Sequence, residues 1–263
     1  MSLGRSSTAV ISEEEADRLA ESEFRDEARD ICATMEITLQ AARSGGQTPE
    51  AALVNFRREI SNLRMRARSC HMPALNVLCH RLDDYAGTLK AVTPELANDL
   101  QAYLDRIHKL LDGEAIGTEQ VPEVIRALPQ KKTFDVSEVT VTEVELLLVM
   151  PQRSAARIVE RELQACGYRV SVVLDAFEAI ELAVRTKPDM IITGVMLGEL
   201  SGVDLACAIA AMPTTKKIPI AVLTSLNPDS SELDLLPPRT GLIRRGPMFA
   251  DDLAHVLQRF NIT

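Results

Sequence analysis

The apolar positions of the chain recur with two periods, and the change falls near residue 143. Before it, four stretches space apolar residues three or four apart, the signature of one face of a helix. The first runs Phe24, Ala28, Ile31, Met35, Leu39, Ala42; Ser12 and Glu15 open it in capping-box spacing and Gly45-Gly46 closes it. Thr48-Pro49, a cap followed by a first-turn proline, starts the second: Leu53, Phe56, Ile60, Leu63, Ala67, Cys70. Pro73 marks a tight turn into the third, Leu75, Leu78, Leu82, Tyr85, Leu89. Thr93-Pro94 starts the fourth, Leu96, Leu100, Tyr103, Ile107, Leu110, with Gly113 beyond its end. Four stripes on short connections predict an all-α antiparallel up-down four-helix bundle over 12–112, since packing them together is what hides them. Residues 1–11 are expected to be disordered. Residues 113–142 read as a linker, with a short helix at Val121–Leu128 and a suggestion of extended chain in Phe134, Val136, Val139 and Val141.

From 143 to 263 the pattern alternates strand and helix. Val144–Val149 reads as an apolar run, the mark of a strand buried on both faces. Helices at Arg153–Cys166, Ala176–Arg185, Val203–Ala211 and Ala250–Phe260 separate further strands at Tyr168–Leu174, Met190–Thr193, Ile218–Leu223 and Gly241–Arg244. Between the last two strands lies a weak segment, Ser230–Leu236, stopped by Pro237-Pro238, so a helix there is expected to be short or partly unwound. The alternation predicts an α/β doubly wound five-stranded parallel sheet of flavodoxin-like order.

Composition narrows the function classes. The 263 residues carry 29 basic and 38 acidic side chains, a net charge of −9. The part before 143 has 17 basic against 23 acidic, the rest 12 against 15, so neither has the basic excess of a nucleic-acid binder. Six Phe, three Tyr and no Trp leave little for base stacking. No apolar run reaches membrane-spanning length, and Glu13, Glu14 and Glu15 stand where a secretory signal needs an apolar core. Five cysteines, Cys32, Cys70, Cys79, Cys166 and Cys207, in helical apolar contexts read as buried thiols of a cytoplasmic protein.

Several segments of the second half carry a resemblance. They are Leu146–Val149 leading to a helix that ends in Cys166-Gly167-Tyr168; Asp175–Ala179; Pro188–Ile192; Met196–Leu205; and Ile218–Thr224. Together they resemble a response-regulator receiver domain across nearly all of 143–263. The resemblance implies phosphorylation of an aspartate after the third strand. It also implies an acidic pair after the first strand to hold Mg²⁺, and a Ser/Thr and a Lys that read the phosphoryl group. Here the acidic pair is replaced by Met150-Pro151, the aspartate position is Gly194, Thr224 is kept, and the lysine position falls on Arg245 (Arg244 if the register slips by one). Receiver chemistry is therefore expected to be absent, with no cofactor.

The first half resembles a histidine phosphotransfer domain over about 48–112, on the pattern Phe56–Arg68, the turn before Pro73-Ala74-Leu75, and Cys79–Asp84. The phospho-histidine position falls on Ser61, 19 residues before His80, with Arg64 at the lysine position and bulky Met65 where glycine lets a receiver approach. This site too is expected to be degenerate.

Other clusters have two readings each. Arg57, Arg58, Arg64, Arg66 and Arg68 make either a docking face for an acidic partner, which salt would weaken, or a solvated face balanced by the acidic first helix. Cys70-His71 and Cys79-His80 do not match zinc spacings, and His108 and His255 read as ordinary helix histidines. Asp175, Glu199 and Asp204 offer a displaced cation site or, more simply, a turn residue and two surface acids. Thr224 is a relic of the switch or a strand-end cap. Leu233, Leu235, Leu236, Leu242, Ile243, Met248 and Phe249 divide between core and an exposed partner patch.

The function these readings predict is non-catalytic two-component signalling through protein partners such as a histidine kinase or receiver, without nucleic acid, membrane insertion or aspartate phosphorylation. No output domain is visible, which argues against a DNA-binding regulator. The alternatives are a phosphorelay protein using His80 or another histidine, an enzyme on the flavodoxin-like fold, and a small-molecule sensor using a hollow left at Gly194 and Gly198.

Overall fold

The computed structural model describes residues 12–69, 72–117, 119–130, 142–227 and 229–262. The readings made above at 1–11, Cys70, His71, Phe134, Val136, Val139 and Val141 lie outside the described residues. The chain divides into two compact units, the first built of four helices and the second covering the chain from Ile116 on.

The helices of the first unit are α1 (Glu13–Ser44), α2 (Pro49–Ser69), α3 (Pro73–Thr88) and α4 (Pro94–Leu111). Their ends are set locally. Ser12 Oγ accepts from the Glu15 N–H, half of the predicted capping box, and Gly45 closes α1 in the left-handed region at φ 75°. Thr48 and Thr93 cap α2 and α4 by accepting from Ala51 and Leu96 N–H. The predicted stripes are largely buried, among them Phe24, Met35, Leu39, Phe56, Ile60, Leu63, Leu75, Leu82, Leu100 and Ile107. Polar contacts fix the pairing. Arg25 donates to the Leu110 and Leu111 carbonyls, and Arg43 at the other end of α1 donates to the Ala97 carbonyl, so α1 and α4 run antiparallel. Arg57 donates to the Leu89 carbonyl and Arg64 pairs with Asp83, which sets α2 against α3 in the same sense.

The second unit holds a five-stranded parallel sheet in the order β2-β1-β3-β4-β5: β1 Glu145–Val149, β2 Arg169–Val173, β3 Met190–Gly194, β4 Ile220–Thr224 and β5 Gly241–Arg244. This is the flavodoxin-like order. Helices α6 (Arg153–Ala165), α7 (Ala176–Thr186), α8 (Gly202–Ala211) and α9 (Phe249–Phe260) connect and flank it. Between β4 and β5 the described residues hold a single 3₁₀ turn, Ser231–Leu233, where Pro237-Pro238 predicted a shortened helix. Leu146, Leu148, Met190, Ile192, Ala221, Leu223 and Ile243 make the sheet's share of a core that Leu163, Leu253 and Val256 cover.

Three readings need correction. Val144–Val149 is not uniformly apolar: Glu145 is 7% exposed, and Arg169, its partner in the β1–β2 register, meets its carboxylate at 2.5 Å. Residues 119–130 are not a free linker. They form α5 (Val121–Arg126) and its flanks, and fold onto the sheet unit, where Arg126 reaches Asp189, Lys187 pairs with Glu119, and Arg169 donates to the Leu128 carbonyl. Lastly, Cys32 and Cys79 are buried but Cys166, at the C-cap of α6, and Cys207, on α8, are exposed. Burial pushes the Cys32 thiol up to about 12 and Cys79 higher still, which leaves both unreactive at neutral pH.

Candidate functional site

In a doubly wound sheet, ligands meet the carboxyl ends of the strands where the strand order reverses. Here that point lies between β1 and β3, which pair in register from Leu146↔Met190 to Val149↔Thr193. The residues at that edge are Met150 after β1, Gly194 at the end of β3, Thr224 at the end of β4, and Arg245 just after β5.

Met150 is 1% exposed; its backbone N–H donates to the Val173 carbonyl and its side chain is part of the core. Pro151 is exposed and carries no polar side-chain atom. Gly194 is buried, and the point where a Cβ would stand is 3.8 Å from Arg245 Nη2 and 3.9 Å from both Leu197 Cδ2 and the Val149 carbonyl oxygen. The hollow expected there is thus lined at contact distance by a guanidinium and a leucine. Gly198, its other expected wall, is an exposed turn residue at φ 111°.

The two arginines are told apart by their partners. Arg244 donates from its N–H and Nε to Asp252 Oδ2 at 2.9 and 2.8 Å, and from Nη2 to Oδ1 at 2.7 Å, tying β5 to the first turn of α9. Arg245 donates its backbone N–H to the Thr224 carbonyl and lays its side chain toward Gly194. Thr224, 3% exposed, accepts the Leu226 N–H on its hydroxyl, in the bend that leaves β4 and ahead of any helix.

Asp175 caps α7 by accepting the Glu178 N–H, and Asp204 closes a full capping box with Ser201 at the start of α8; Glu199 is exposed. The edge does not fit a divalent cation. A hard ion takes oxygen ligands, whereas Met150, Pro151 and Gly194 supply no side-chain oxygen and Arg245 brings a positive charge.

Hydrogen bonds from Ser201 hold the Asp204 carboxyl below its ordinary range, and those from Arg244 do the same for Asp252. A carboxylate with a depressed pKa stabilises the fold fully above its unfolded value, and that stability is lost as the pH falls through the folded one. Urea midpoints should hold steady down to about pH 4 and fall below it. Asp252→Asn should remove part of that acid-side slope.

Sequence reading left one position of this corner unremarked. Gly202 N–H donates to the Val195 carbonyl at 2.6 Å, and a Cβ on Gly202 would stand 2.0 Å from the Gly194 carbonyl oxygen. Only glycine fits where the β3–α8 loop folds back on the strand it left. Glycine just after a capping serine was the available signal.

In the helical unit, Ser61 is exposed and its hydroxyl donates back to the Arg57 carbonyl. Met65 beside it is 69% exposed. The arginines of α2 are bonded within their unit: Arg57 to Leu89, Arg58 to Glu59, Arg64 to Asp83, and Arg66 to Glu27 of α1; Arg68 is exposed. Arg58, Arg64 and Arg66 are thus paired with acids, and Arg66 turns toward α1. His80 is 5% exposed, which closes it to a phosphodonor; His108 pairs with Glu36, and His255 is exposed. Of the leucine-rich cluster, Leu233 and Ile243 are core, Leu236, Leu242 and Phe249 are half-buried, and Leu235 and Met248 are exposed. Exposed Phe177 and Met196, which stand in the loops or first turns at the carboxyl edge, were not foreseen.

The sheet unit is similar to response-regulator receiver domains. It is 32% identical over 82 residues to response regulator PleD of Caulobacter vibrioides, covering 31% of this chain and 18% of PleD. It is 31% identical over 85 residues to transcriptional regulatory protein PrrA of Mycobacterium leprae, covering 32% of this chain and 36% of PrrA. The chain thus spans between about a fifth and about a third of the length of these curated relatives. Among solved structures, the receiver domain of a Pseudomonas aeruginosa sensor histidine kinase, which holds magnesium in its active-site cleft, aligns at 28% identity over 44% of this chain and 96% of its own, TM-score 0.40. The chemotaxis response regulator CheY4 of Vibrio cholerae aligns at 26% identity over 46% of this chain and 99% of its own, TM-score 0.39. No family model matches the chain. Among the described residues, no helix is long and apolar enough to cross a membrane.

Proposed function

We propose that this is a cytoplasmic two-component signalling protein whose receiver-like half is a pseudo-receiver, acting through protein contacts and not through aspartate phosphorylation. The observation that carries this is the carboxyl edge of the sheet: a buried thioether, a proline and a glycine replace the acids, and Arg245 lies against Gly194. A glycine has no nucleophile to phosphorylate. The four helices are read as an antiparallel bundle of histidine-phosphotransfer type, with Ser61, Arg64 and Met65 at the positions that would carry its chemistry. Buried His80 speaks against phosphotransfer through that residue. The surfaces left for partners are Met196 and Phe177 at the carboxyl edge, and Leu235 and Met248 beside the shortened fourth connection. A kinase, a receiver or another signalling component is the expected partner class.

A Mg²⁺ titration followed by amide resonances tests the reading. Up to about 10 mM Mg²⁺, the amides of Met150, Gly194 and Thr224 should not move. A saturating shift at those three would mean that the edge still binds a cation and would remove the reading.

A further inference from the structure

At the opposite end of the sheet, away from the edge just described, the second unit has a cleft of about 190 Å³. It lies between the end of α8, the entry to β4, the segment before β5 and Phe260 at the end of α9. Ile209, Ile218, Pro237 and Phe260 give it apolar walls. Lys216, Lys217 and Arg239 line it, and no acidic side chain does. Among the described residues none of these three cations has an ion-pair partner. Arg259 stands beside them, donating to the Thr240 and Pro238 carbonyls, with its guanidinium 5.4 Å from the centre of the Phe260 ring.

Two helices end here, and helix C-termini attract cations. Their combined partial charge is about −1, against four cations. The excess positive charge sits on an acidic protein, around an apolar cleft. A third feature lies inside the cleft. Thr240 Oγ1 is buried without a hydrogen-bond partner among the described residues, and a hydroxyl so placed calls for an oxygen to pair with.

We propose that this cleft binds a small amphipathic carboxylate. The carboxylate group lies among Lys216, Lys217 and Arg239 and, with the Thr240 side chain turned toward it, accepts a hydrogen bond from that hydroxyl. The chain or ring lies on the apolar wall between Ile218 and Phe260. A wholly polar anion such as inorganic phosphate would satisfy the cations but leave the wall uncovered. A cavity of about 150 Å³ accepts a benzene ring, so a ligand of about eight to ten heavy atoms fits this one. The site is independent of the vacated phosphoryl edge, so a failure of either reading leaves the other standing.

Octanoate is a suitable probe for the full chain, titrated at constant ionic strength and followed by amide resonances, with octan-1-ol and inorganic phosphate as parallel arms. Octanoate should give saturable shifts at Ile218, Ile220, Thr240 and Phe260 with a Kd below about 1 mM, and octan-1-ol should bind at least about tenfold more weakly. Phosphate should not saturate those amides. Lys217→Gln combined with Arg239→Gln, both on the surface, should weaken octanoate about tenfold, and Thr240→Val should weaken it severalfold. The proposal is overturned if octanoate gives no saturable shift at these amides. Equal binding of octan-1-ol, or saturation by phosphate at the same place, overturns it too.

Discussion

Gly202→Ala should cost the second unit about 3 kcal/mol or more of unfolding free energy, because its new methyl group would overlap the Gly194 carbonyl oxygen. The separation would be 2.0 Å, and the atom met is backbone, held at the end of a central strand. Neither side can yield cheaply. The Gly202 N–H is bonded to the Val195 carbonyl, and Gly202 begins α8 directly after its N-cap, Ser201. Gly194→Ala in the same corner is the control. Its methyl meets its neighbours at 3.8 to 3.9 Å, ordinary contact distance, so the change should stay within about 1 kcal/mol. Urea denaturation of the two variants checks the pair. Equal stabilities would contradict the loop geometry. A tolerated alanine at 194 would also show that packing does not require glycine there.

Arg169→Ala should destabilise the second unit by about 3 kcal/mol, because a nearly buried carboxylate and the Ile125 and Leu128 carbonyls all lose its guanidinium. Glu145 is nearly buried, and the Arg169 guanidinium pairs with its carboxylate while also satisfying the Leu128 carbonyl after α5. Removing the arginine takes the guanidinium from a nearly buried carboxylate in β1 and removes one of the ties between the 119–130 segment and the sheet; Arg126–Asp189 and Lys187–Glu119 remain. Replacing both partners by apolar residues, Glu145→Leu with Arg169→Met, should recover most of the loss. Desolvating an ion pair costs about what its attraction returns. If the double variant were as unstable as the single one, the lost bonds to α5, and not the broken ion pair, would be the cause.

The periodic features of the chain were legible before its structure. Stripes three and four apart placed α1 to α4, because each helix hides one face. Gly241–Arg244 was located to the residue, since turn-forming segments bound it on both sides. The prolines at 237 and 238 announced the shortened fourth connection. At the site, strand ends located Met150, Gly194 and Thr224 at one edge, because a parallel sheet aligns its carboxyl ends. Pairing between distant residues was not legible. Nothing local says that Glu145 meets Arg169, that Arg244 and not Arg245 grips Asp252, or that Gly202 touches the Gly194 carbonyl. Such facts depend on register and loop path. The short helix at Val121–Leu128 was legible, but the folding of residues 119–130 onto the sheet was not, for the same reason: their few apolar residues gain meaning only from the surface they cover. The exposure of Cys166 and Cys207 was hidden because an apolar neighbourhood in sequence does not say which side of a helix a residue takes.

The central claim is that the receiver-like half carries no phosphoryl chemistry, and intact-mass measurement tests it most directly. The full chain is incubated with acetyl phosphate and Mg²⁺ beside an active receiver domain as the control. The account predicts that the control gains the mass of one phosphoryl group while this chain gains none. A hydroxylamine-labile phosphoryl adduct mapping to residues 143–263 would contradict it.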